Sequence, residues 1–321
     1  MNNSDILFIY DAKLCNPNGD PDDENKPRMD YDTHRNLVSD VRLKRYIRDY
    51  LEGEGYEIFV TQVEGETVDA TRRLKALFEK HKEKVDLGKL SKSDLDRLLD
   101  RLIDVRFFGA TMPIKGKEGE RGVSQAFTGP VQFNWGYSLN PVTICSSSSI
   151  TSMFAGREAA SEYGTFGKDW RVLYSFIAFH GIVSGKRAQK TRLSEADIRV
   201  LDNALLKAIP LQATTRSKIG QTPRLLLRIE YKDDITFLGD LRRYVEIKPN
   251  EGTREETLRD ISDLKLKVKP LVDILEKNKD KIEKIYLWQH KDLSIQEGES
   301  FKALCEEKNL EDKVVDLPHS E

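Results

Sequence analysis

Between Lys26 and Arg48 the chain carries seven Lys/Arg against three Asp, although the formal net charge of all 321 residues is −2. The cations are Lys26, Arg28, Arg35, Arg42, Lys44, Arg45 and Arg48. Such local concentration is the electrostatic footprint of a phosphate-binding surface. Arg offers a phosphate two hydrogen bonds from a planar fork, whereas Lys supplies a mobile point charge. Arg45 and Arg48 are three residues apart on a helical stretch and can share a face. A second stretch, 207–228, holds five Lys/Arg and no acidic residue. Its centre, Gln212-Ala213-Thr214-Thr215-Arg216-Ser217-Lys218-Ile219-Gly220-Gln221-Thr222, offers hydroxyl, cationic and backbone donors. A third patch joins Lys186, Arg187, Lys190 and Arg192. Groups of this kind line the backbone of a single strand without reading its sequence. A solvated helix face and ordinary surface loops are the alternative readings of the same residues.

Other chemistries are less well written. Asp20, Asp22, Asp23 and Glu24 follow Asn18-Gly19, but the loop lacks the sixth-position Gly and closing Glu of a calcium loop. It reads as a solvated acidic turn. Asp30 and Asp32 lie in the loop that leads to the basic helix, where a carboxylate beside an RNA backbone could assist cleavage. A metal-dependent RNA endonuclease is therefore the competing class. His34 and His180 have no partner in sequence, Ser39 and Cys15 have no neighbouring base, and no Gly-x-Ser-x-Gly or phosphate loop is present. Gly164-Thr165-Phe166-Gly167-Lys168 is too short for a nucleotide loop. Three distant cysteines specify neither a disulfide framework nor a zinc knuckle. No metal or cofactor is expected. The N-terminal apolar run is too short for a signal peptide and no run reaches membrane-spanning length, so the expected setting is cytoplasmic.

These residues need elements to hold them. Ile6-Leu7-Phe8-Ile9-Tyr10 reads as a first strand. A helix over 36–53 follows, with Leu37, Val41, Leu43, Ile47 and Leu51 as its apolar stripe, stopped by Gly53 and Gly55. Residues 56–60 read as a second strand. Residues 67–105 are helical and charge-laced, with Leu95, Leu98, Leu99, Leu102 and Ile103 as a buried stripe. Val131, Phe133, Trp135 and Tyr137 alternate as one hairpin strand, and 116–122 is a mobile loop. Residues 170–183 form a central strand in which Tyr174, Phe176 and Phe179 are core residues or, alternatively, stacking aromatics. Ser194-Glu195-Ala196-Asp197 opens a helix as a capping box, and Pro210 ends it. Residues 224–231 form another strand. The C-terminal part holds a helix near 270–282, a strand at 285–288 and an acidic helix near 299–308. The order is β–α–β, a large insertion, then β–α–β: an α+β, ferredoxin-like or RNA-recognition-like arrangement.

Several motifs carry a resemblance to a known family. They are Cys15-Asn16-Pro17-Asn18-Gly19-Asp20-Pro21, Lys26-Pro27-Arg28-Met29-Asp30 and Leu37-Val38-Ser39-Asp40-Val41-Arg42-Leu43-Lys44-Arg45. Thr128-Gly129-Pro130-Val131-Gln132-Phe133, Phe179-His180-Gly181 and Ala213-Thr214-Thr215-Arg216-Ser217 extend the match. Over most of 4–231 the chain resembles the crRNA-binding backbone subunit of type I CRISPR Cascade complexes, the seventh Cas protein family of the RAMP superfamily, in its type I-B branch. The resemblance implies a hand: a ferredoxin-like palm from 1–65 and 165–231, a finger insertion at 66–164, a thumb loop at 211–222, and a 232–321 appendage completing the palm. It implies copies that polymerise along crRNA, with other Cascade subunits beside them and target DNA pairing to the exposed bases. The implied palm contacts are Arg28, Ser39, Arg42, Lys44, Arg45 and Arg48, with Lys168 and Arg171 flanking the central strand. The implied thumb contacts are Thr214, Thr215, Arg216, Ser217 and Lys218. It implies no catalytic residue, since type I backbone subunits do not normally cut, whereas type III relatives cut target RNA with a loop aspartate.

Overall fold

The computed structural model describes residues 1–114, 123–146, 149–151 and 166–319. The loop expected at 116–122 lies outside them, as do Gly164 and Thr165. β1 (Ser4–Cys15) is buried along almost its whole length. Its unbroken apolar run is the pattern of a strand covered on both faces. A loop with four short pieces follows: β2 (Gly19–Asp20), β3 (Lys26–Pro27), β4 (Met29–Asp30) and β5 (Arg35–Val38). α1 (Asp40–Gly53) then begins four residues later than the apolar period suggests, because Ser39 caps it and residues 35–38 are spent on β5.

Residues 56–60 do not form the expected second strand. Glu57 makes one bridge to Leu102, and the Phe59 and Val60 N–H groups donate to the Asp104 carboxylate at 2.8 and 3.2 Å. The helical stretch resolves into α2 (Ala70–Lys80), α3 (Lys92–Arg101) and α4 (Ile103–Phe108). They share a small core of Leu74, Leu77, Phe78, Leu98, Leu99 and Leu102. At Gly109, with φ +75°, α4 turns directly into the hairpin of β6 (Gly109–Ile114) and β7 (Val123–Thr128). The alternating segment is two strands, not one: β8 (Val131–Phe133) and β9 (Gly136–Ser138), broken at Asn134 and Trp135. β10 (Ser149–Thr151) pairs with β11 (Phe166–Lys168) ahead of the long β12 (Val172–Val183). α5 (Gly185–Thr191) and α6 (Glu195–Gln212) follow, the latter opening on the Ser194–Asp197 capping box. α6 runs two residues past Pro210, which sits in its last turn. β13 (Gln221–Tyr231) completes the central strands. The remainder supplies β14 (Glu246–Pro249), β15 (Leu264–Lys267), α7 (Lys269–Lys277), β16 (Ile282–Gln289), α8 (Phe301–Glu307) and β17 (Val314–Asp316).

Among the described residues the main sheet has nine strands in the order β17-β16-β13-β1-β12-β9-β5-β4, with β8 also paired to β12. Only β16 and β17 run parallel. Residues 131–138, expected inside the insertion, thus belong to the main sheet. α1 and α6 cover one face, over Ile6, Phe8, Tyr10, Phe179 and Leu226. The C-terminal elements cover the other, burying Leu7, Ile9, Tyr174, Phe176 and Leu227 beneath Leu271, Leu275 and Phe301. Tyr174, Phe176 and Phe179 are therefore core residues at 0–1% exposure, and no base can stack on them.

Buried polar pairs tie the layers together. Arg228 of β13 holds Asp202 of α6 at 2.8 and 2.9 Å, and His319 Nε2 lies 2.9 Å from the same carboxylate. Asp11 pairs with Arg224 at 3.0 Å and accepts from Tyr174 at 3.2 Å. Asp5 accepts from the Tyr231 hydroxyl and the Leu238 N–H at 2.5 and 2.7 Å. Arg106 at the end of α4 clamps Asp197 of α6 at 2.7 and 3.0 Å. Among the described residues no helix is long and apolar enough to cross a membrane.

Candidate nucleic-acid interface

Cations gather where β1 ends and β12 and β13 begin, an end of the sheet fixed by the pairings Cys15 with Val172 and Ala12 with Gln221. The 16–18 loop builds this end. Asn18 Oδ1 accepts from both the N–H and the hydroxyl of Ser39 at 2.9 Å, and Ser39 Oγ accepts from the Arg42 N–H at 3.3 Å. Asn18 thus holds the N-terminus of α1 against the end of β1. Ser39 is spent as the helix cap.

The four cations of α1 divide by environment. Lys44 is buried, with its ammonium 3.0 Å from Asp40 and 2.9 Å from Gln132 Oε1. Arg48 is buried too, donating to Asp104 at 2.9 Å with its guanidinium over the Phe108 ring. Asp104 is 0% exposed and also binds the Phe59 and Val60 N–H groups, so Arg48 joins α1 to the helical insertion. Arg45 pairs with Asp49 and donates to the Val60 carbonyl at 2.7 Å. Arg42 differs. Its guanidinium stacks over Tyr46 at 4.0 Å, and among the described residues it has no carboxylate partner.

Lys218 reaches the same place from the other basic segment. Its ammonium donates to the Asn16 carbonyl at 2.6 Å and has no carboxylate partner among the described residues. Burial, with the Arg42 charge added to it, pushes the Lys218 ammonium down to about 8. The Arg42 charge thus acts on Lys218, and neither cation is neutralised by a carboxylate among the described residues. The expected thumb at 211–222 is short here. Residues 211–212 finish α6 and 221–222 start β13. Between them, the Thr215 carbonyl accepts from the Lys218 and Ile219 N–H groups at 2.8 and 2.9 Å. The Ser217 and Gly220 carbonyls accept from the Asn16 and Lys13 N–H groups at 2.8 and 2.9 Å. In the single chain this segment lies on the end of its own β1, with the Thr214, Thr215 and Arg216 side chains exposed.

The flank is a set of exchangeable ion pairs. Arg28 pairs with Asp20 at 3.0 Å, Lys26 with Asp23 at 2.8 Å, and Lys168 with Glu24 at 2.7 Å. Arg171 holds Asp169 at 2.7 Å and donates to the Leu14 carbonyl at 2.7 Å, while Arg216 lies 3.3 Å from Asp169. The largely exposed acidic turn at 20–24 thus also supplies counter-ions to the basic strip. Among the described residues no group of three or more His, Cys, Asp or Glu could hold a metal ion. Asp30 accepts from the Thr33 hydroxyl at 2.6 Å and the Asp32 N–H at 3.1 Å, and the Thr33 bond first among these holds its carboxyl below the ordinary value. It is occupied as a turn former.

Two neighbouring tryptophans escaped the sequence reading of the site. Trp170 lies between Lys26 and Lys168, at 5.1 and 5.8 Å from its ring centroid, and Trp135 lies beside Arg28 at 5.7 Å. The usable signal was the placement of Lys26 and Arg28 two residues apart on an extended strip.

A family model described as "CRISPR-associated protein Cas7" matches residues 2–269. A "CRISPR-associated protein Cas7" of Haloferax volcanii is 35% identical over 298 residues, 89% of this chain and 86% of that protein. Among solved structures, a chain of a "CRISPR RNA-guided surveillance complex, pre-nicking" superposes with a TM-score of 0.51 at 13% identity, covering 97% of this chain and 100% of its own. A chain of a "CRISPR RNA-guided surveillance complex" gives 0.49 at 14% identity over 95% and 98% of the two chains. At 13% identity the likeness to the first of these structures is one of fold, whereas the family model and the 35% identical relative establish descent, and the chain belongs to the Cas7 family of CRISPR-associated proteins.

Proposed function

We propose that this chain is the repeating backbone subunit of a cytoplasmic type I Cascade complex, of the type I-B branch, that lies along crRNA. On this reading it holds the RNA by its phosphates, touches further copies of itself and other Cascade subunits, and leaves bases free to pair with target DNA. The observation that carries it is the cation couple Arg42 and Lys218 at one sheet end, without carboxylate partners among the described residues and flanked by exchangeable pairs, in a member of the Cas7 family. Sequence-independent affinity needs this kind of backbone-directed charge. The order β13-β1-β12-β8/β9, antiparallel throughout with α1 and α6 on one face, supports a ferredoxin-like palm whose second strand comes from 131–138. The helices over 70–108 would be the finger and the 213–220 segment the thumb. The reduced contact set is Arg28, Arg42, Lys168, Arg171, Thr214, Thr215, Arg216, Ser217 and Lys218. Lys44, Arg45 and Arg48 act through the positions they give α1.

The subunit would be a scaffold and not a nuclease, since Asp30 is engaged in its own turn. The test is binding of a labelled guide-length RNA with and without Mg²⁺, read for stoichiometry and integrity. Stepwise loading of several copies on intact RNA is expected. Regular cleavage that stops in Asp30→Ala, or absence of binding, would overturn the proposal.

A further inference from the structure

Trp135 stands out once the charged groups are accounted for. It occupies the break between β8 and β9 and is 43% exposed, while Phe133 before it and Gly136 after it are buried. Its backbone is fixed at both ends. The Asn134 N–H just before it donates to the His180 carbonyl of β12 at 2.9 Å, and the Trp135 carbonyl accepts from Arg242 at 2.7 Å. Arg242 is itself buried and clamped on Asp240 at 2.7 and 2.8 Å. A rigid backbone therefore presents a large apolar ring to water. One cation, Arg28, lies 5.7 Å from the ring centroid. Arg28 is also the second cation of the extended strip Lys26-Pro27-Arg28, where Pro27 is buried and its neighbours are half-buried. Residues two apart on such a strip are about 6.7 Å apart on one side.

We propose that Trp135 is a nucleobase-stacking position, and that Arg28 beside it takes the adjoining phosphate of a single-stranded RNA. This rests on the RNA-binding reading above and adds to it a contact with a base. Indole faces accept any base, and an adjacent guanidinium reinforces the stack while neutralising the backbone. A preorganised ring pays little ordering entropy on contact. The Trp135 ring thereby fixes one nucleotide per copy without selecting its identity, consistent with guides of arbitrary sequence.

The test compares a guide-length uridine RNA with an abasic ribose-phosphate strand of the same length, both titrated against the full chain. The wild type is expected to prefer the RNA, and Trp135→Ala to shrink that preference about tenfold, within the roughly 5- to 150-fold range of a single stack. Trp135→Phe, which keeps a π face, should retain most of it, and the salt dependence should match wild type in both variants. An unchanged preference in Trp135→Ala, or equal losses on both strands, would overturn the assignment. An altered number of copies per RNA at unchanged preference would make Trp135 a protein contact and overturn it too. A wild type that binds both strands equally also refutes stacking while leaving the RNA reading intact, whereas binding to neither strand refutes that reading itself.

Discussion

Replacing Arg48 by Ala separates cations that build α1 from cations that serve a ligand. Arg48 Nε lies 2.9 Å from Asp104, and both side chains are buried. Removing the guanidinium leaves a carboxylate with no access to water and two backbone donors, the Phe59 and Val60 N–H groups. Breaking a buried pair costs about 3–5 kcal/mol because one charge is left uncompensated. The remaining donors place the expected loss near the lower end, about 3 kcal/mol. Urea unfolding should show it as a lower midpoint at unchanged slope. Arg48→Met with Asp104→Asn, which removes both charges and keeps an oxygen to accept from the Phe59 and Val60 N–H groups, should recover much of the loss. Arg42→Ala should behave in the opposite way. Its stacking over Tyr46 is worth about 0.5–1 kcal/mol of stability. Its loss should weaken RNA binding about tenfold or more and flatten the slope of log K against log salt by about 0.7. The reasoning is refuted if Arg48→Ala unfolds like wild type while RNA binding collapses. That result would mean the guanidinium leaves Asp104 for a phosphate.

Other perturbations test separate parts of the account. Lys218 carries a lowered value of about 8 in the free protein, from burial first and the Arg42 charge second, and a bound phosphate would raise it again. RNA affinity should therefore be level below about pH 8 and fall up to tenfold per pH unit above it; Lys218→Arg should remove this fall, and a flat wild-type profile would exclude the contact. Asp202→Asn should cost about 3 kcal/mol at neutral pH by stranding Arg228. Burial would raise the Asp202 carboxyl, but Arg228 and His319 hold it low, so its contribution is present at neutral pH and is lost as the pH falls through the lowered value. The gap between wild type and Asp202→Asn should accordingly narrow below about pH 4 in acid unfolding curves. At Gly109 a Cβ would lie 2.1 Å from the Phe127 carbonyl oxygen in a left-handed backbone, so Gly109→Ala should cost at least about 1–3 kcal/mol in thermal or urea unfolding.

The sequence showed local features well and long-range ones poorly. The capping box at Ser194 and the i,i+4 pair of Asp40 and Lys44 are written within one helical turn, and both form. The run at 6–10 announces a strand buried on both faces, although which elements cover it depends on packing from ninety residues at the far end. Residues 56–60 have strand composition, yet their N–H groups find the carboxylate of Asp104, about 45 residues on, and no period reveals that partner. The same distance hid the fate of Arg48. In isolation α1 reads as one basic surface; its split into embedded Lys44 and Arg48 and an Arg42 that stacks on a ring is set by Asp104, Gln132 and Tyr46. The exposed Trp135 looked like one tooth of an alternating strand, because the break at 134–135 follows from how β8 and β9 each pair with β12.

Covering the sheet on both faces has a consequence for how its strands find their alignment. A strand with one wet face is proofread by hydrophobicity, since a slip of one residue turns its apolar side outward. β1 has no wet face over residues 6–10, so a slipped pairing would still bury greasy side chains on either side. Alignment must then be checked by groups that tolerate only one partner. Asp5 finds Tyr231, Asp11 finds Arg224 and Tyr174, Asn36 finds the Ser175 hydroxyl, and Arg228 finds Asp202. A shift by a single residue would leave these carboxylates and this guanidinium stranded in the dry interior at several kcal/mol each. The buried polar residues act as alignment pins: they penalise near-native misfolds far more than they stabilise the native chain.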